Sequence, residues 1–315
     1  MRVLILGGGG FIGTAVVARL QREKGLALRV LERPEVAPDP AIDSTELEWF
    51  SGNFSRPDDL RRSLEGVDVV IHLASTTTPQ SSYEDMLRDM ESNLAPCLAL
   101  LGEMRAMKIP RIIFISSGGT VYGPSQQSPM DESHPTNPVV PYGITKLAIE
   151  KYLGMFHRLH GLGLQILRVA NPYGPRQRLR AGQGVVGAFL SALLRNQPIE
   201  IWGDGEAVRD YLHVEDVAEA FAKVIRYEGP ETLFNIGSGA GVSLRQLIQV
   251  MEKVTQSKPI IRYFEPRKFD VGANVLDCSR AYAVLGWKAQ ISLEEGLRGT
   301  CEWLRQNVAR PVGLS

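Results

Sequence analysis

The first twenty residues restrict the fold of this chain more than any other segment. Residues 2–6, RVLIL, form a short apolar run typical of a buried strand, and GGGGFIG follows at residues 7–13. A helix-compatible apolar stretch then continues from Phe11 to about Leu20. Strand, glycine turn and helix in this order begin a parallel βαβ unit, which predicts an α/β protein with a doubly wound sheet.

The glycine spacing in this turn indicates a phosphate-binding role. Gly7, Gly10 and Gly13 follow GxxGxxG, which differs by one residue from the commonest dinucleotide fingerprint. Glycine lets the backbone approach a pyrophosphate, which then lies at the positively polarised helix N-terminus. The next strand ends at Glu32, whose carboxylate suits ribose hydroxyls and repels a 2′-phosphate, favouring NAD over NADP. Arg33 is the counter-argument, because a guanidinium suits that phosphate.

Further apolar runs predict more parallel strands, each followed by a polar segment. Asn53 and Phe54 follow the third strand, where side chains reach the adenine in sheets of this type, although asparagine in a loop also forms turns. His72 in the fourth strand is predicted to be a packed structural residue. Predicted strands are 27–31, 47–50, 67–74, 111–115 and 164–169, and predicted helices are 58–64, 83–107 and 142–160.

A tyrosine and a lysine form the candidate catalytic pair. The fifth strand runs into SSGGTVYG at 116–123, and a later helix begins with PYGITK at 141–146. Tyr142 and Lys146 are four residues apart, so a helix places them on one face. An ammonium beside a phenol lowers the phenol pKa, which makes the pair a candidate general base. The spacing alone also occurs on solvated helices, but the βαβαβ pattern before it favours catalysis.

The composition excludes several classes of protein. The 315 residues are 44% apolar and carry 35 basic and 35 acidic side chains, so nothing indicates general affinity for nucleic acid or anionic membranes. Cys97, Cys278 and Cys301 fit neither a zinc nor a disulfide pattern and are interpreted as buried free thiols. No apolar segment approaches the roughly eighteen residues of a membrane span, and we expect a cytoplasmic protein without a metal site.

The second half of the chain differs in character. ANPYGP at 170–175 ends the last parallel strand of the first half, and glycines and basic residues cluster at 174–184 and 203–210. These features predict a smaller lobe with ligand-facing loops over the C-terminal edge of the sheet. Predicted helices are 184–195, 214–227, 243–255 and 292–306, with strands near 199–202 and 232–236.

The change near residue 170 divides the chain into two predicted units. Residues 1–170 are expected to form an NAD-binding domain with a Rossmann-type, doubly wound parallel sheet, which part of 208–239 rejoins. Residues 171–315 are expected to form mainly a smaller α/β substrate-binding lobe.

Eight motifs in order resemble the extended short-chain dehydrogenase/reductase family, and within it the nucleotide-sugar epimerases of the UDP-glucose 4-epimerase type. The resemblance covers nearly the whole chain and implies NAD-dependent inversion of C4 in a nucleoside-diphosphate hexose, with UDP-hexoses favoured. It also implies a homodimer formed through helices near 83–107 and 142–160. The motifs are GGGGFIG (7–13), HLAS (72–75), SSGGTVYG (116–123), PYGITK (141–146), RVANPYGP (168–175), WGDG (202–205), RDYLHVED (209–216) and FNIGSG (234–239).

The resemblance implies a role for individual residues. Tyr142 removes the proton from the C4 hydroxyl, while Lys146 holds the nicotinamide ribose and lowers the pKa of Tyr142. Arg209 binds the diphosphate, or alternatively pairs with Asp210 or Asp204. The implied diphosphate ligands are Asn171, Arg209 and Arg267. The implied cofactor residues are Gly7, Gly10, Phe11, Ile12, Gly13, Glu32, Asn53, Phe54, Leu73, Ala74, Ser75, Asn93, Tyr142 and Lys146.

Two positions depart from the family pattern. Gly118 replaces the catalytic Ser or Thr that stands four residues before the tyrosine of VYG, so Ser117, Thr120 or a water is expected to complete the site. Asn274 occupies the position where a bulky tyrosine would restrict the space beside the sugar 2-substituent. Asparagine there favours acceptance of N-acetylhexosamines.

Other functions remain as alternatives. A 4,6-dehydratase would carry an Asp-Glu pair where Gly119 and Thr120 stand, which argues against that reaction. A nucleotide-sugar reductase or dehydrogenase with an exchangeable cofactor would show net consumption or release of NADH. A non-catalytic NAD(P)-sensing protein often lacks the YxxxK pair, so the pair favours an enzyme.

Overall fold

The computed structural model describes residues 1–125, 127–177, 184–266 and 272–308. All six strands predicted for the first half are present, with ends within two residues of the predicted ones. The strands are β1 Arg2–Leu6, β2 Ala27–Glu32, β3 Leu47–Ser51, β4 Val69–His72, β5 Arg111–Ser117, β6 Gly163–Val169, β7 Asn171–Tyr173, β8 Ile199–Trp202, β9 Val208–His213, β10 Leu233–Ile236, β11 Gly241–Ser243, β12 Ile261–Phe264 and β13 Ala273–Asn274.

The helices alternate with the strands of the first half, as a parallel sheet requires. A π-helical turn, Met90–Leu94, lies between two of them. The α-helices are α1 Phe11–Leu20, α2 Pro57–Leu64, α3 Pro79–Glu84, α4 Met86–Asp89, α5 Ala95–Ala106, α6 Pro141–His160, α7 Val185–Leu194, α8 Val214–Val224, α9 Leu244–Thr255, α10 Ser279–Leu285 and α11 Leu293–Val308.

Seven parallel strands form the main sheet in the order β10-β6-β5-β4-β1-β2-β3. The predicted Rossmann-type doubly wound fold is therefore confirmed. The direction of strand progression reverses between β1 and β4, and ligands of such sheets bind outside the carboxyl ends of the strands at this point. The glycine turn after β1 and the polar loop after β4 both lie there.

Alternate residues of each strand enter two separate cores. Ile113 and Ile115 of β5 share a core with side chains of α1 and α8. Ile112 and Phe114 of the same strand share the other core with side chains of α2, α5 and α6. The period of two along a strand fixes which helix each β5 side chain faces.

The second half of the chain contains two smaller sheets and a separate hydrophobic core. β9 pairs with β11, β13 and β7, while β8 pairs with β12 in a parallel two-stranded ribbon. Side chains of α7, α9 and α11 pack on these strands. The strand predicted near 232–236 is β10, which pairs with β6 at one edge of the main sheet.

The single helix predicted at 83–107 was wrong. Asp85 has φ −145° and ψ 88°, which ends α3 and begins α4. Pro96 in the first turn of α5 cannot donate a backbone hydrogen bond to the turn before it, and the π-helical turn stands immediately upstream. The local backbone chemistry of these residues therefore divides a segment whose apolar pattern is continuous.

Helix α6 begins and ends with residues suited to those positions. Pro141 occupies the first turn, where no backbone donor is needed, and Gly161 ends the helix with φ 68°, a left-handed conformation. The helix spans 20 residues, but no helix of the described ranges is long and apolar enough to cross a membrane. Its position over β5 and β6 brings its first turn to the carboxyl end of the main sheet.

The three cysteines are free, but they differ in burial. Cys97 and Cys301 are buried, as expected, and burial raises the pKa of each thiol. Cys278 is only half-buried, so the expectation of burial was wrong there; its sulfur accepts a hydrogen bond from the Gly237 amide at 3.1 Å.

Candidate active site

The glycine turn after β1 forms a close backbone loop at the start of α1. Gly7 has φ +82°, and its carbonyl accepts a hydrogen bond from the Gly10 amide at 3.2 Å. A Cβ added at Gly13 would lie 2.1 Å from the Gly7 carbonyl oxygen. Gly10 caps α1 without a side-chain hydrogen bond, and no acidic residue lies in the first turn. The helix N-terminus, which begins with Phe11 and Ile12, therefore suits an anion.

Glu32 is fixed against this turn. The amides of Gly9 and Arg33 donate to its two carboxylate oxygens, each at 3.0 Å, and its side chain is 9% exposed. The Arg33 guanidinium lies 3.9 Å from Glu32 and 3.3 Å from Glu35. A buried carboxylate at the end of β2 is the group that recognises adenosine ribose hydroxyls in such folds, so the residues present fit NAD.

Residues at the end of β4 lie next to the same turn. The Leu73 amide donates to the Leu6 carbonyl at 3.0 Å, and a Cβ at Gly7 would meet the Ala74 backbone at 2.9 Å. Ser75 begins the loop that continues from Ala74. The structure therefore brings Gly7, Ala74 and Ser75 together, as the assignment of cofactor residues requires.

Asn53 and Phe54 make contacts within the protein. The Asn53 side-chain oxygen accepts from the Ser55 amide at 2.9 Å, the turn-forming role considered for it. The Phe54 ring packs edge-on against His72 at 5.5 Å, and Phe114 packs on His72 at 5.4 Å. Their proposed contacts with adenine stay predictions.

His72 is a packed core residue. Its ring lies between two phenylalanines, and neither ring nitrogen has a hydrogen-bond partner among the described residues. Burial lowers the pKa of His72 to about 3, and the nearby Lys146 ammonium adds to this effect. The imidazole is therefore neutral at physiological pH, in agreement with a structural role.

Tyr142 and Lys146 lie one turn apart at the start of α6. The Tyr142 amide donates to Ser82 Oγ at 3.1 Å, which ties this turn to α3. Lys146 Nζ donates to the Ile115 carbonyl at 3.1 Å and lies 4.8 Å from the centre of the Phe114 ring. Helix α6 is thus attached to β5 through the Lys146 side chain.

The pKa values of the pair differ from the expected pattern. Burial raises the pKa of Tyr142 to about 12, an effect that the Ser75 hydroxyl partly opposes. Burial lowers the pKa of Lys146 to about 8. Lys146 Nζ lies 5.7 Å from the Tyr142 ring centre and is directed to the Ile115 carbonyl, so within the protein alone it does not lower the Tyr142 pKa as expected.

A buried hydrogen-bond network centred on Asp89 holds the loop after β4 against α6. The carboxylate accepts from the hydroxyls of Thr77 and Thr145, the latter at 2.6 Å. Asn93 donates to Asp89 at 3.1 Å and accepts from the Thr76 amide at 2.9 Å. Asn93, an implied cofactor residue, therefore positions the loop through its side chain. Asp89 gave no signal in the sequence because an acidic residue is ordinary in an amphipathic segment.

A buried ion pair supports the end of β5. Glu150 of α6 accepts from Arg168 Nε at 3.1 Å and Nη2 at 2.7 Å, and Ser116 Oγ donates to the same carboxylate. The Arg168 guanidinium also lies 4.8 Å from the Tyr122 ring centre. The pair joins α6, β5 and β6 directly below the hydroxyl-rich segment.

The implied substrate residues make hydrogen bonds within the protein. Asn171 Nδ2 donates to the Asp210 carbonyl at 2.9 Å, and Arg209 Nη1 donates to the Val208 carbonyl at 2.9 Å. Asn274 is fully buried and donates to the Gly118 carbonyl at 3.0 Å, so it supports the end of β5 and does not line an open sugar pocket. Arg267 lies outside the described residues.

Asp210 fixes another loop in the second half of the chain. Its carboxylate accepts from the Ser238 amide at 2.7 Å and hydroxyl at 2.6 Å, and from the Leu276 amide at 3.3 Å. The Asp210 carboxylate, an alternative partner for Arg209 in the sequence analysis, is therefore hydrogen-bonded to Ser238 and Leu276. The loop after β10 is thereby joined to the segment that carries Asn274.

A concave region lies at the ends of β8 and β12, apart from the residues described above. Trp202 and Phe264 stack with ring centres 5.0 Å apart, beside a cavity of about 520 Å³. The WGDG motif marks this position in the sequence, but Phe264 carried no signal because it lies in an unrecognised strand. The cavity is lined by Gly203, Asp204, Tyr263, Phe264, Glu265 and Pro266.

Comparison with known proteins agrees with this geometry. The model of the NAD dependent epimerase/dehydratase family matches residues 3–237. A putative UDP-glucose 4-epimerase of Methanocaldococcus jannaschii is 33% identical over 97% of this chain and 99% of its own length. A dTDP-4-dehydro-6-deoxyglucose reductase of Escherichia coli is also 33% identical, over 94% and 95% of the two chains.

A solved structure extends the likeness to the whole fold. The UDP-glucose 4-epimerase of Thermotoga maritima with UDP-glucose superposes with a TM-score of 0.90 and 35% identity, covering 98% of this chain and 100% of the other. The predicted family, the NAD cofactor and an enzyme of the nucleotide-sugar epimerase type are therefore confirmed. The chain belongs to the NAD dependent epimerase/dehydratase family.

Proposed function

We propose that this enzyme inverts C4 of a UDP-hexose through a transient 4-keto sugar, with NAD retained throughout the cycle. The observation that carries the proposal is the position of Tyr142, which is half-buried one turn from Lys146 and joined through its amide to Ser82 of α3. The similar Thermotoga enzyme, a UDP-glucose 4-epimerase, supports the choice of nucleotide. The glycine turn and Glu32 would hold NAD, which would supply the reversible hydride-accepting chemistry.

In this mechanism Tyr142 takes the proton of the C4 hydroxyl and gives it back to the opposite face. A pKa of about 12 is too high for proton removal at neutral pH, so the active complex requires a cation beside the phenol. Lys146, with a pKa of about 8, is largely protonated at pH 7 and lies one turn away. A shift of its ammonium from the Ile115 carbonyl towards the phenol would supply that charge.

The second lobe is proposed to hold the diphosphate while the keto sugar turns. Asn171, Arg209 and Arg267 are the proposed ligands, and residues 171–315 remain our proposed substrate lobe, with residues 1–170 as the cofactor domain. Retaining the diphosphate and releasing the sugar ring allows hydride return to either face. The acceptance of N-acetylhexosamines stays open, because Asn274 is buried against Gly118.

A homodimer is proposed on the face formed by α4 and the first turn of α6. Met86 and Leu87 are about 60% exposed, and Ile144 is 54% exposed. Apolar side chains of this size in one region are typical of an interface. Sedimentation of the wild type at the dimer mass, and of Leu87→Glu at the monomer mass, would support the proposal; a monomeric wild type would contradict it. The cytoplasmic location also stays a prediction.

A nucleotide-sugar reductase is the second candidate function. The Escherichia coli relative of this class is as similar in sequence as the first epimerase relative. The two functions differ in cofactor balance: a reductase consumes NADH in proportion to product, whereas an epimerase leaves the total of NADH unchanged. Absorbance at the NADH band during turnover therefore separates them.

The test of the proposed function is a panel of UDP-, GDP- and dTDP-sugars followed by NMR. We expect the C4 epimer to form from a UDP-hexose, without added NADH. Tyr142→Phe should lower kcat by about 10²- to 10⁴-fold while NAD binding is retained, because only the proton acceptor is removed. Tyr152→Phe on the exposed side of the same helix is the matched control. Full activity of Tyr142→Phe would refute the assignment.

A further inference from the structure

Leu276 occupies the space that a side chain at position 118 would need. A Cβ added at Gly118 would lie 2.5 Å from Leu276 Cδ1, 3.2 Å from its Cδ2 and 3.0 Å from the Arg168 carbonyl oxygen. Leu276 is fully buried in a cluster with Val121 and Tyr122, so its side chain has little room to move. A serine or threonine at position 118 would therefore force the Leu276 side chain to shift within a packed cluster, which is unfavourable.

Ser117 is directed to the wrong face of the sheet to replace that hydroxyl. Ser116 donates to Glu150 of α6, so it lies on the α6 side of β5. Ser117 is the next residue of the strand and lies two residues after Ile115. Its side chain therefore points to the same face as that of Ile115, which enters the core with α1 and α8. Since successive strand residues point to opposite faces, Ser117 points away from the helix that carries Tyr142.

Thr120 lies beside the helix that carries Tyr142. The chain turns back after β5, with the Thr120 amide donating to the Ser117 carbonyl at 3.3 Å. Thr120 then packs against the first turn of α6, where a Cβ added at Gly143 would be 3.1 Å from its Cβ. Gly143 directly follows Tyr142. The Thr120 hydroxyl is buried, and no described residue offers it a hydrogen bond. Such an unsatisfied hydroxyl is unfavourable unless a ligand completes it.

We infer that Thr120 supplies the hydroxyl that hydrogen-bonds the reacting C4 oxygen beside Tyr142, and that the packing of Leu276 disfavours a side chain at position 118. The inference rests on the proposed epimerase function. The hydroxyl of Thr120 keeps its own proton and donates a hydrogen bond to the C4 oxygen. The hydroxyl proton of the substrate passes to Tyr142, so Thr120 stabilises the negative charge that grows on that oxygen.

The kinetic test compares isosteric threonine variants on the sugar nucleotide that the wild type epimerises. Thr120→Val should lower kcat by about 100-fold with a smaller change in KM, because the hydrogen bond strengthens as charge develops. Thr120→Ser should restore most of kcat. Thr255→Val is the control, since Thr255 is a buried threonine that bonds Met251 within α9, away from Tyr142. Ser117→Ala should cost much less than Thr120→Val.

The packing test measures melting temperatures of Gly118→Ser, Leu276→Ala and the double variant. We expect each single change to lower the melting temperature, and the double variant to lose less than the sum of the two. Strict additivity would overturn the role assigned to Leu276. Unchanged kcat in Thr120→Val, or a larger loss in Ser117→Ala, would overturn the role of Thr120 while leaving the epimerase function intact. A wild type inactive on every nucleotide sugar would instead remove the proposed function and this assignment with it.

Discussion

Gly13 and Gly118 follow two strands that border the candidate site. The space for a side chain is filled at both glycines, but by different parts of the protein. After β1, backbone fills the space: the Gly7 carbonyl oxygen lies 2.1 Å from a Cβ added at Gly13. After β5, a side chain from a distant segment fills it, with Leu276 Cδ1 2.5 Å from a Cβ added at Gly118. The crowding at Gly13 comes from the local turn, whereas the crowding at Gly118 comes from Leu276, which a distant segment contributes.

The end of β5 also depends on a buried ion pair, and its loss should have the largest effect. Glu150→Gln leaves the Arg168 guanidinium buried without its countercharge, which should lower the free energy of unfolding by about 3–5 kcal/mol. Urea unfolding at pH 7.5 measures this. Replacing both partners, as Glu150→Leu with Arg168→Met, should recover much of the loss.

The matched control is the surface pair of Arg61, which is exposed, and Glu103, which is half-buried. Glu103→Gln should change stability little, because solvent screens exposed charges. If Glu150→Gln proved as harmless as Glu103→Gln, the buried pair would not support the end of β5.

The turn after β1 should not tolerate a side chain at Gly13, where backbone atoms fill the space. Gly13→Ala places a methyl group 2.1 Å from a carbonyl oxygen and 2.7 Å from Gly8 Cα, so we expect a loss of about 1–3 kcal/mol or more, together with weaker NAD binding. Thermal unfolding and NAD titration measure the two effects. Gly154→Ala, with no atom within 4 Å of the added Cβ in α6, should instead stabilise by about 0.5–1 kcal/mol. Equal effects at the two glycines would contradict the difference in crowding.

Strand β4, which lies between β1 and β5, carries His72. The contribution of His72 to stability should be smaller than the effects above and should depend on pH. The folded pKa of about 3 lies below the ordinary value near 6.5, so the buried neutral ring contributes stability that is complete above pH 6.5 and is lost as the pH falls towards 3. At pH 5.5 the loss is about 1.4 kcal/mol. The stability difference between wild type and His72→Phe should therefore shift by that amount between pH 7.5 and 5.5. A constant difference would show that His72 is not held neutral.

The difference between local turns and long-range packing explains which features could be predicted from the sequence. Gly7 and Gly13 belong to one turn and Glu32 ends the next strand, so their spacing predicted the turn, the fold class and the cofactor. The YxxxK spacing likewise placed Tyr142 and Lys146 on one helix. These inferences need only the periods of helix and strand and the chemistry of one loop.

Long-range packing could not be predicted in that way. No local pattern shows that Leu276 fills the space at Gly118, that Asp89 joins Thr77 to Thr145, or that Asn274 is buried. The direction of the Lys146 ammonium, towards the Ile115 carbonyl, also depends on the packing of α6 on β5. These features arise where separate segments meet, and they determine the electrostatics around Tyr142.

The most direct test of the proposed mechanism follows the hydrogen at C4. UDP-glucose that carries deuterium at C4 is incubated with the wild-type enzyme in ordinary water, and the products are read by NMR and mass spectrometry. Because a hydride is removed and returned within one site, we predict UDP-galactose that retains the deuterium at C4, with no net NADH. Loss of the deuterium to water during conversion to UDP-galactose would contradict inversion by hydride transfer.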